Sequence, residues 1–311
     1  MKPPRTVLPT DLLALVSYDG RVFPNEAKPR ERIGAEAPKT FPIETAFEQW
    51  FSFATGRHAW ISASGKRLNG LVSARRRGTR QAWEIDCLIE TTDTQDGILG
   101  LLDCATTEAG RNQAEKLFLR LNADSSLFEA VRRAGFMPYM REVLLAGEVL
   151  PIGPPAALPL RPASRQDAYP LFRLYNAVRP EPVRRHEAVT YSEWQASQER
   201  DWLKHAAQLV LEREGRITGW VAAAHLGQGL SVDLLLEPGE FEHTLALVEE
   251  ACQSAGARGR TFALLPESDA GIVERLCHAG FEEQGRFVCL SCRTAQPAKL
   301  PKLLPVAAKP A

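Results

Sequence analysis

An α/β fold built from two similar units in series is what the sequence predicts. Three observations carry it: a duplicated set of short motifs, the same order of helical and strand-like segments on both sides of a proline-rich stretch, and the length. The chain has 311 residues, against roughly 100–150 for a typical single core.

The duplication is read first. Gly70-Leu71-Val72-Ser73-Ala74 returns as Gly219-Trp220-Val221-Ala222-Ala223. Asp86-Cys87-Leu88-Ile89-Glu90 returns as Asp233-Leu234-Leu235-Leu236-Glu237. Asp124, Glu129 and Ala134-Gly135-Phe136 return as Asp269, Glu274 and Ala279-Gly280-Phe281. The matches keep their order, and the first drift in spacing falls in a turn, where length changes cost little.

The elements follow in the same order twice. In the first unit, an amphipathic run from Ile43 to Phe53 predicts a helix. Strands are expected over His58–Ser64, Leu68–Arg75 and Ala82–Glu90, joined by turns. A helix from Ile98 to Ala109 stops at Gly110. Lys116–Leu121 predicts a buried strand, Ser126 with Glu129 a capping box on a helix ending at Gly135, and Tyr139–Leu145 a closing strand. In the second unit, helices are expected over Asp167–Ala177 and Ser192–Lys204, then strands over Gln208–Glu214, Ile217–His225 and Leu230–Glu237. Phe241, Leu245, Val248 and Cys252 share a helical face that ends at Gly256. Arg260–Leu265 predicts a strand, Ala270–Ala279 a helix and Arg286–Cys292 the last strand. The expected division is 1–147, a linker at 148–158 around Leu150-Pro151-Ile152-Gly153-Pro154-Pro155, 159–293, and a disordered tail at 294–311.

Composition excludes several classes. The hydrophobic share is 44% and the charged share 24%, as in ordinary globular chains. Lysine plus arginine equals aspartate plus glutamate at 38 each, without the basic excess of a nucleic-acid binder. Arg75, Arg76, Arg77 and Arg80 around Gly78 read as a solvated hairpin tip, ahead of a phosphate contact. No uncharged run of about 18 apolar residues exists, so no membrane span is expected. Met1–Thr10 lacks a signal-peptide core. The six cysteines sit mostly in apolar runs and suggest a reducing cytoplasm. Cys289 and Cys292 have Cys-x-x-Cys spacing, but strand alternation points them to opposite faces, against a metal or redox pair. The histidines show no metal-ligand spacing, and the tryptophans read as core or interface residues.

The order of a helix, an antiparallel meander, a helix, a strand, a helix and a final strand, closed twice by Gly-Phe, resembles the GNAT superfamily of N-acetyltransferases in tandem. The resemblance implies two units, each a mixed, mostly antiparallel sheet flanked by helices. It implies acetyl-CoA as cosubstrate and a small-molecule or peptide amine as acceptor, with no nucleic-acid or membrane partner. The strand Ala82–Glu90 would hold the pantetheine arm through the backbone of Leu88, Ile89 and Glu90. The following residues, Gly97, Ile98, Leu99 and Gly100, would hold the pyrophosphate at a helix N-terminus. Both copies depart from the family's glycine-rich loop. The first has Asp96 within it, and the second has Pro238-Gly239-Glu240-Phe241-Glu242, where like charges oppose a diphosphate. The family's tyrosine acid, four residues before Gly-Phe in the last helix of the unit, is replaced by Val131 and Leu276.

Acetyl transfer needs a base for the amine. Alternation along Ala82–Glu90 puts Glu84, Asp86 and Glu90 on one face, opposite Trp83, Ile85, Cys87 and Ile89. Glu84 and Asp86 are the candidate catalytic bases; the structural alternative pairs them with Arg75 or Arg77. The functional expectation is acetyl transfer through the first unit alone. Its rival is an inactive tandem module that binds a ligand or acts as a scaffold.

Overall fold

The computed structural model describes residues 4–6, 24–34, 57–64, 67–91, 96–148, 158–226, 229–256 and 259–295. The helix expected over Ile43–Phe53, residues 149–157 and residues 296–311 lie outside them. The first half contributes β1 (Arg5–Thr6), β2 (His58–Ser64), β3 (Arg67–Arg76), β4 (Ala82–Glu90), α1 (Asp96–Arg111), β5 (Lys116–Asn122), α2 (Phe128–Arg133) and β6 (Met137–Glu148). The second contributes β7 (Leu160–Pro162), α3 (Ala168–Val178), α4 (Glu181–Glu187), α5 (Tyr191–Ser197), α6 (Arg200–Leu203), β8 (Ala207–Arg213), β9 (Arg216–Leu226) and β10 (Gly229–Leu236). A 3₁₀ turn at Pro238–His243, α7 (Thr244–Ser254), β11 (Arg260–Pro266), α8 (Ala270–His278) and β12 (Glu282–Arg293) complete it.

Among the described residues the strands form a single 12-stranded sheet in the order β1-β2-β3-β4-β5-β12-β6-β11-β10-β9-β8-β7. The order is palindromic once β2 is matched to β8, β3 to β9, β4 to β10, β5 to β11 and β12 to β6. The closing strands are exchanged: β12 pairs antiparallel with β5 of the first half, and β6 pairs antiparallel with β11 of the second. Packing follows the exchange. Val288, Leu290 and Cys292 of β12 lie in the first half's core with Leu88, Leu119 and Phe136. Val143 and Leu145 of β6 lie in the second half's core with Val232, Leu265 and Phe281. Each unit's core is thus completed by the other unit's last strand.

The repeated Ala-Gly-Phe has a local cause. Gly135 and Gly280 adopt φ of 89° and 90°. The Gly135 N–H donates to Arg132 O and the Phe136 N–H to Val131 O; Gly280 and Phe281 do the same to Cys277 and Leu276. This Schellman arrangement ends both helices and drops each phenylalanine onto the core. A Cβ at Gly280 would meet nothing within 4 Å. Gly280→Ala should therefore cost only the backbone term, about 1 kcal/mol in a denaturant titration.

Three expectations need correction, and one element was not foreseen. α2 begins after Leu127, with no side-chain cap bond, so the Ser126–Glu129 capping box does not form. The long helix over Ser192–Lys204 is two pieces, because Gln198 turns extended and delivers Glu199 inward. A short helix, α4, was not expected, although Pro180-Glu181-Pro182 and the basic Arg184 and Arg185 give it start and stop signals. The arginine hairpin is solvated only in part: Arg76 and Arg80 are exposed, whereas the Arg75 and Arg77 side chains are largely covered. The Gly78 N–H donates to Ala196 O of the second half, and Arg77 lies over the Phe118 ring and reaches Glu199.

Candidate functional site

Each half carries a wedge. The parallel strands β4 and β5 pair only through Ala82–Lys116, Trp83–Leu117 and Glu84–Phe118, then diverge. Likewise β10 and β11 pair only from Leu230–Thr261 to Val232–Ala263. Beyond these points the two wedges differ.

The first wedge holds Asn25–Lys28. The Asn25 amide donates from Nδ2 to Asp86 O (3.0 Å) and accepts at Oδ1 from the Leu88 N–H (2.9 Å). The Glu26 N–H donates to Leu88 O, and the Lys28 N–H to Arg120 O on β5, both at 2.9 Å. Ala27 is 1% exposed within the first core. Both backbone groups of Leu88, where a pantetheine arm is expected, are therefore engaged by the chain itself. Gly97, Ile98, Leu99 and Gly100 form the first turn of α1, as a helix-terminus site requires. Ile98 is fully buried, and a Cβ on Gly100 would lie 3.0 Å from Pro4.

The strand-face expectation also changes. Between Ala74–Ile85 and Ser73–Cys87 the register slips, leaving Asp86 as the extra residue of a β-bulge. The bulge reverses alternation: Leu88 joins Trp83 and Ile85 in the core, while Cys87 and Ile89 pack with Ile61 and Leu71 on the other face. Glu84, Asp86 and Glu90 therefore do not share a face. Asp86 accepts from Ser73 Oγ at 2.6 Å and pairs with Arg57 Nε at 2.8 Å. Glu84 pairs with Arg75 Nη2 at 3.1 Å. Both sit in ion pairs within a buried sheet.

The second wedge opens into a cavity of about 510 Å³, lined by Asp233, Leu234 and Leu235 of β10 and Pro266 at the end of β11. Its wall includes Tyr175, Glu187, Trp194 and Trp220. The size suits a small organic ligand. Glu240, expected to repel a diphosphate, turns away from that role: it is 7% exposed and accepts from Arg213 Nε (2.8 Å) and Thr218 Oγ1 (3.1 Å). A groove beside the 3₁₀ turn, between Gly239 and α8, is lined by Arg275 and His278 as well as Glu242 and Glu274.

The cavity floor is an ion network across the seam. Glu199 accepts from Arg30 Nε (2.5 Å), Arg120 Nη2 (3.0 Å) and Arg77 Nη2 (3.2 Å). Arg120 also holds Glu142 at 2.6 Å, which accepts from Cys289 Sγ, and Arg30 reaches Asp233 at 3.1 Å. Burial pushes Glu199 and Glu142 upward, but the guanidiniums outweigh it and hold both carboxyls below the usual range. Glu187 differs. It accepts from Tyr175 Oη at 3.0 Å, and burial raises its pKa despite Arg77, Arg179 and that bond. Glu187 is thus a basic carboxylate facing a cavity. Cys289 and Cys292 do part to opposite sides, one on Glu142 and one in the core, and no metal-ligand group occurs among the described residues. No helix of the described residues is long and apolar enough to cross a membrane.

Sequence reasoning reached neither Glu187, Tyr175 nor Glu199, which have no counterpart in the repeated motifs. No family model and no curated protein matches the sequence. Solved structures do. A tandem GNAT protein from the clavulanic acid biosynthesis pathway is similar at 13% identity over 95% of this chain and 99% of that one, with a TM-score of 0.51. A GCN5-related N-acetyltransferase from Sphaerobacter thermophilus is similar at 15% identity over 94% and 97%, with a TM-score of 0.53. With its repeated motifs, paired wedges and palindromic sheet, this chain has the tandem GNAT fold.

Proposed function

We propose that the protein transfers an acetyl group from acetyl-CoA to an amine, and that the second half, rather than the first, carries the reaction. The observation behind this reading is the cavity at the β10–β11 wedge, with Glu187 on its wall. The residues fit a thioester arm in outline: a diverging strand pair, an open side at Gly239, and Arg275 and His278 at the outer groove. Acetyl-CoA would supply the activated acyl carbon. Glu187 would accept the proton of the bound ammonium, leaving a neutral amine to attack. Its raised pKa suits it to that task.

The test is release of free CoA thiol from acetyl-CoA, with a panel of phenethylamine, spermidine and a lysine peptide. Glu187→Gln should lower the rate about 100-fold. Tyr175→Phe removes a bond that stabilises the carboxylate, so the rising limb of the pH–rate profile should move to higher pH. No thiol release with any amine, or an unchanged rate in Glu187→Gln, would refute the proposal. A second reading, a ligand-binding module without catalysis, is favoured by Val131 and Leu276 at the family's tyrosine positions. A thermal shift with CoA but no turnover would select it.

A further inference from the structure

Two wedges of the same construction have different contents, and the difference lies in one short segment. Residues 24–34 run from the first wedge to the second half. Asn25 bridges Asp86 and Leu88 of β4, and Lys28 bridges to β5. Arg120 returns a bond from Nη1 to Lys28 O at 3.2 Å, and Ser125 Oγ donates to the Glu26 carboxylate at 2.8 Å. The Asn25 side-chain amide and the Glu26 backbone amide offer the β4 edge what two successive amides of an extended ligand would offer: alternate donors and acceptors. Ala27 fills the space between the arms. Past Pro29, the segment places Arg30 on Glu199 and Asp233, and Ile33 against Leu144 and Leu264.

We infer that the first wedge is a polypeptide-binding site whose resident ligand is the chain's own segment Asn25–Lys28, held where a thioester arm would otherwise lie. The chain then accepts one CoA thioester, not two. The same segment is a positioning element for the second cavity, because its occupancy of the first wedge sets where Arg30 stands. The peptide site is independent of whether the second half transfers an acyl group; only the count of CoA sites rests on that reading.

The test uses the full chain with CoA and a synthetic peptide of residues 24–34 as probes. Ala27→Asp puts a charge into the core and should expel the segment; Asn25→Ala should weaken its hold without adding charge. Amide exchange at Leu88 should accelerate at least about 10-fold in Ala27→Asp, with that at Leu235 unchanged. The peptide added in trans should restore it. Calorimetry with CoA should find one site in the unaltered chain, and CoA should compete with the peptide in Ala27→Asp. Two CoA sites in the unaltered chain, or a folded Ala27→Asp with unchanged Leu88 exchange and no peptide binding, would overturn the inference. If CoA binds nowhere, the proposed reaction fails, while the exchange and peptide results still decide the wedge's ligand.

Discussion

Residues 1–157 and 158–311, produced as separate chains, should not give cooperatively folding monomers, and mixing them should restore one sharp unfolding transition. The cause is the exchange of β6 and β12. Without β12, the first half loses Val288, Leu290 and Cys292 from its core and leaves the facing edges of β5 and β6 unpaired. Without β6, the second half loses Val143 and Leu145 and exposes the edge of β11. Each large apolar side chain buried there is worth about 1.5–3 kcal/mol. A few such losses plus unpaired strand edges are comparable with the whole stability of a domain, about 5–15 kcal/mol. Circular dichroism melts and size-exclusion chromatography of each half and of the mixture test this. A monomeric half with its own sharp transition would mean that its last strand closes in place, contrary to the sheet order.

Glu199→Ala should be the most damaging single substitution at the seam, costing about 3–5 kcal/mol. Its carboxylate answers three guanidiniums from three segments: Arg30 before β2, Arg77 at the β3–β4 hairpin and Arg120 on β5. All three arginine side chains are less than a tenth exposed, so the variant leaves positive charge uncompensated out of water. The melting temperature should fall by about 5–8 °C for a chain of this size. The pH dependence has a definite sign. The folded pKa of Glu199 is depressed, so its contribution is complete above the unfolded carboxyl value of about 4.3. It is lost as pH falls from there through the folded value. The stability gap between the unaltered chain and Glu199→Ala should therefore be constant from about pH 7 to 5 and shrink in stronger acid. Urea titrations across that range measure it.

The legible and illegible parts of this fold separate by range of interaction. The bounds of β4 are legible because Ala82–Glu90 is one short run rich in apolar residues, although its alternation holds only up to Ile85. Gly135-Phe136 and Gly280-Phe281 were legible because a positive φ at a helix end is a local demand. The bulge at Asp86 was not, since it is a slip against β3 and leaves no mark on β4 alone. Nor was the exchange of β6 and β12, because either partner would satisfy the same apolar alternation. The site failed for a similar reason. Glu84 and Asp86 stood out as carboxylates within an apolar strand, yet their partners, Arg75, Arg57 and Ser73, neutralise them in place. Glu187 and Tyr175 looked ordinary in sequence, twelve residues apart on different helices, and only packing brings them together on a cavity wall. Glu240, an argument against the second half when read as a letter, is spent on Arg213 and Thr218.

The two wedges can be told apart directly by a crystal structure of the full chain grown with acetyl-CoA. The pantetheine arm should lie between β10 and β11 beside Leu234 and Leu235, its thioester facing the cavity that holds Glu187, with Asn25–Lys28 still seated on Leu88. A pantetheine arm between β4 and β5 with that segment displaced, or no bound cosubstrate at millimolar concentration, would contradict it.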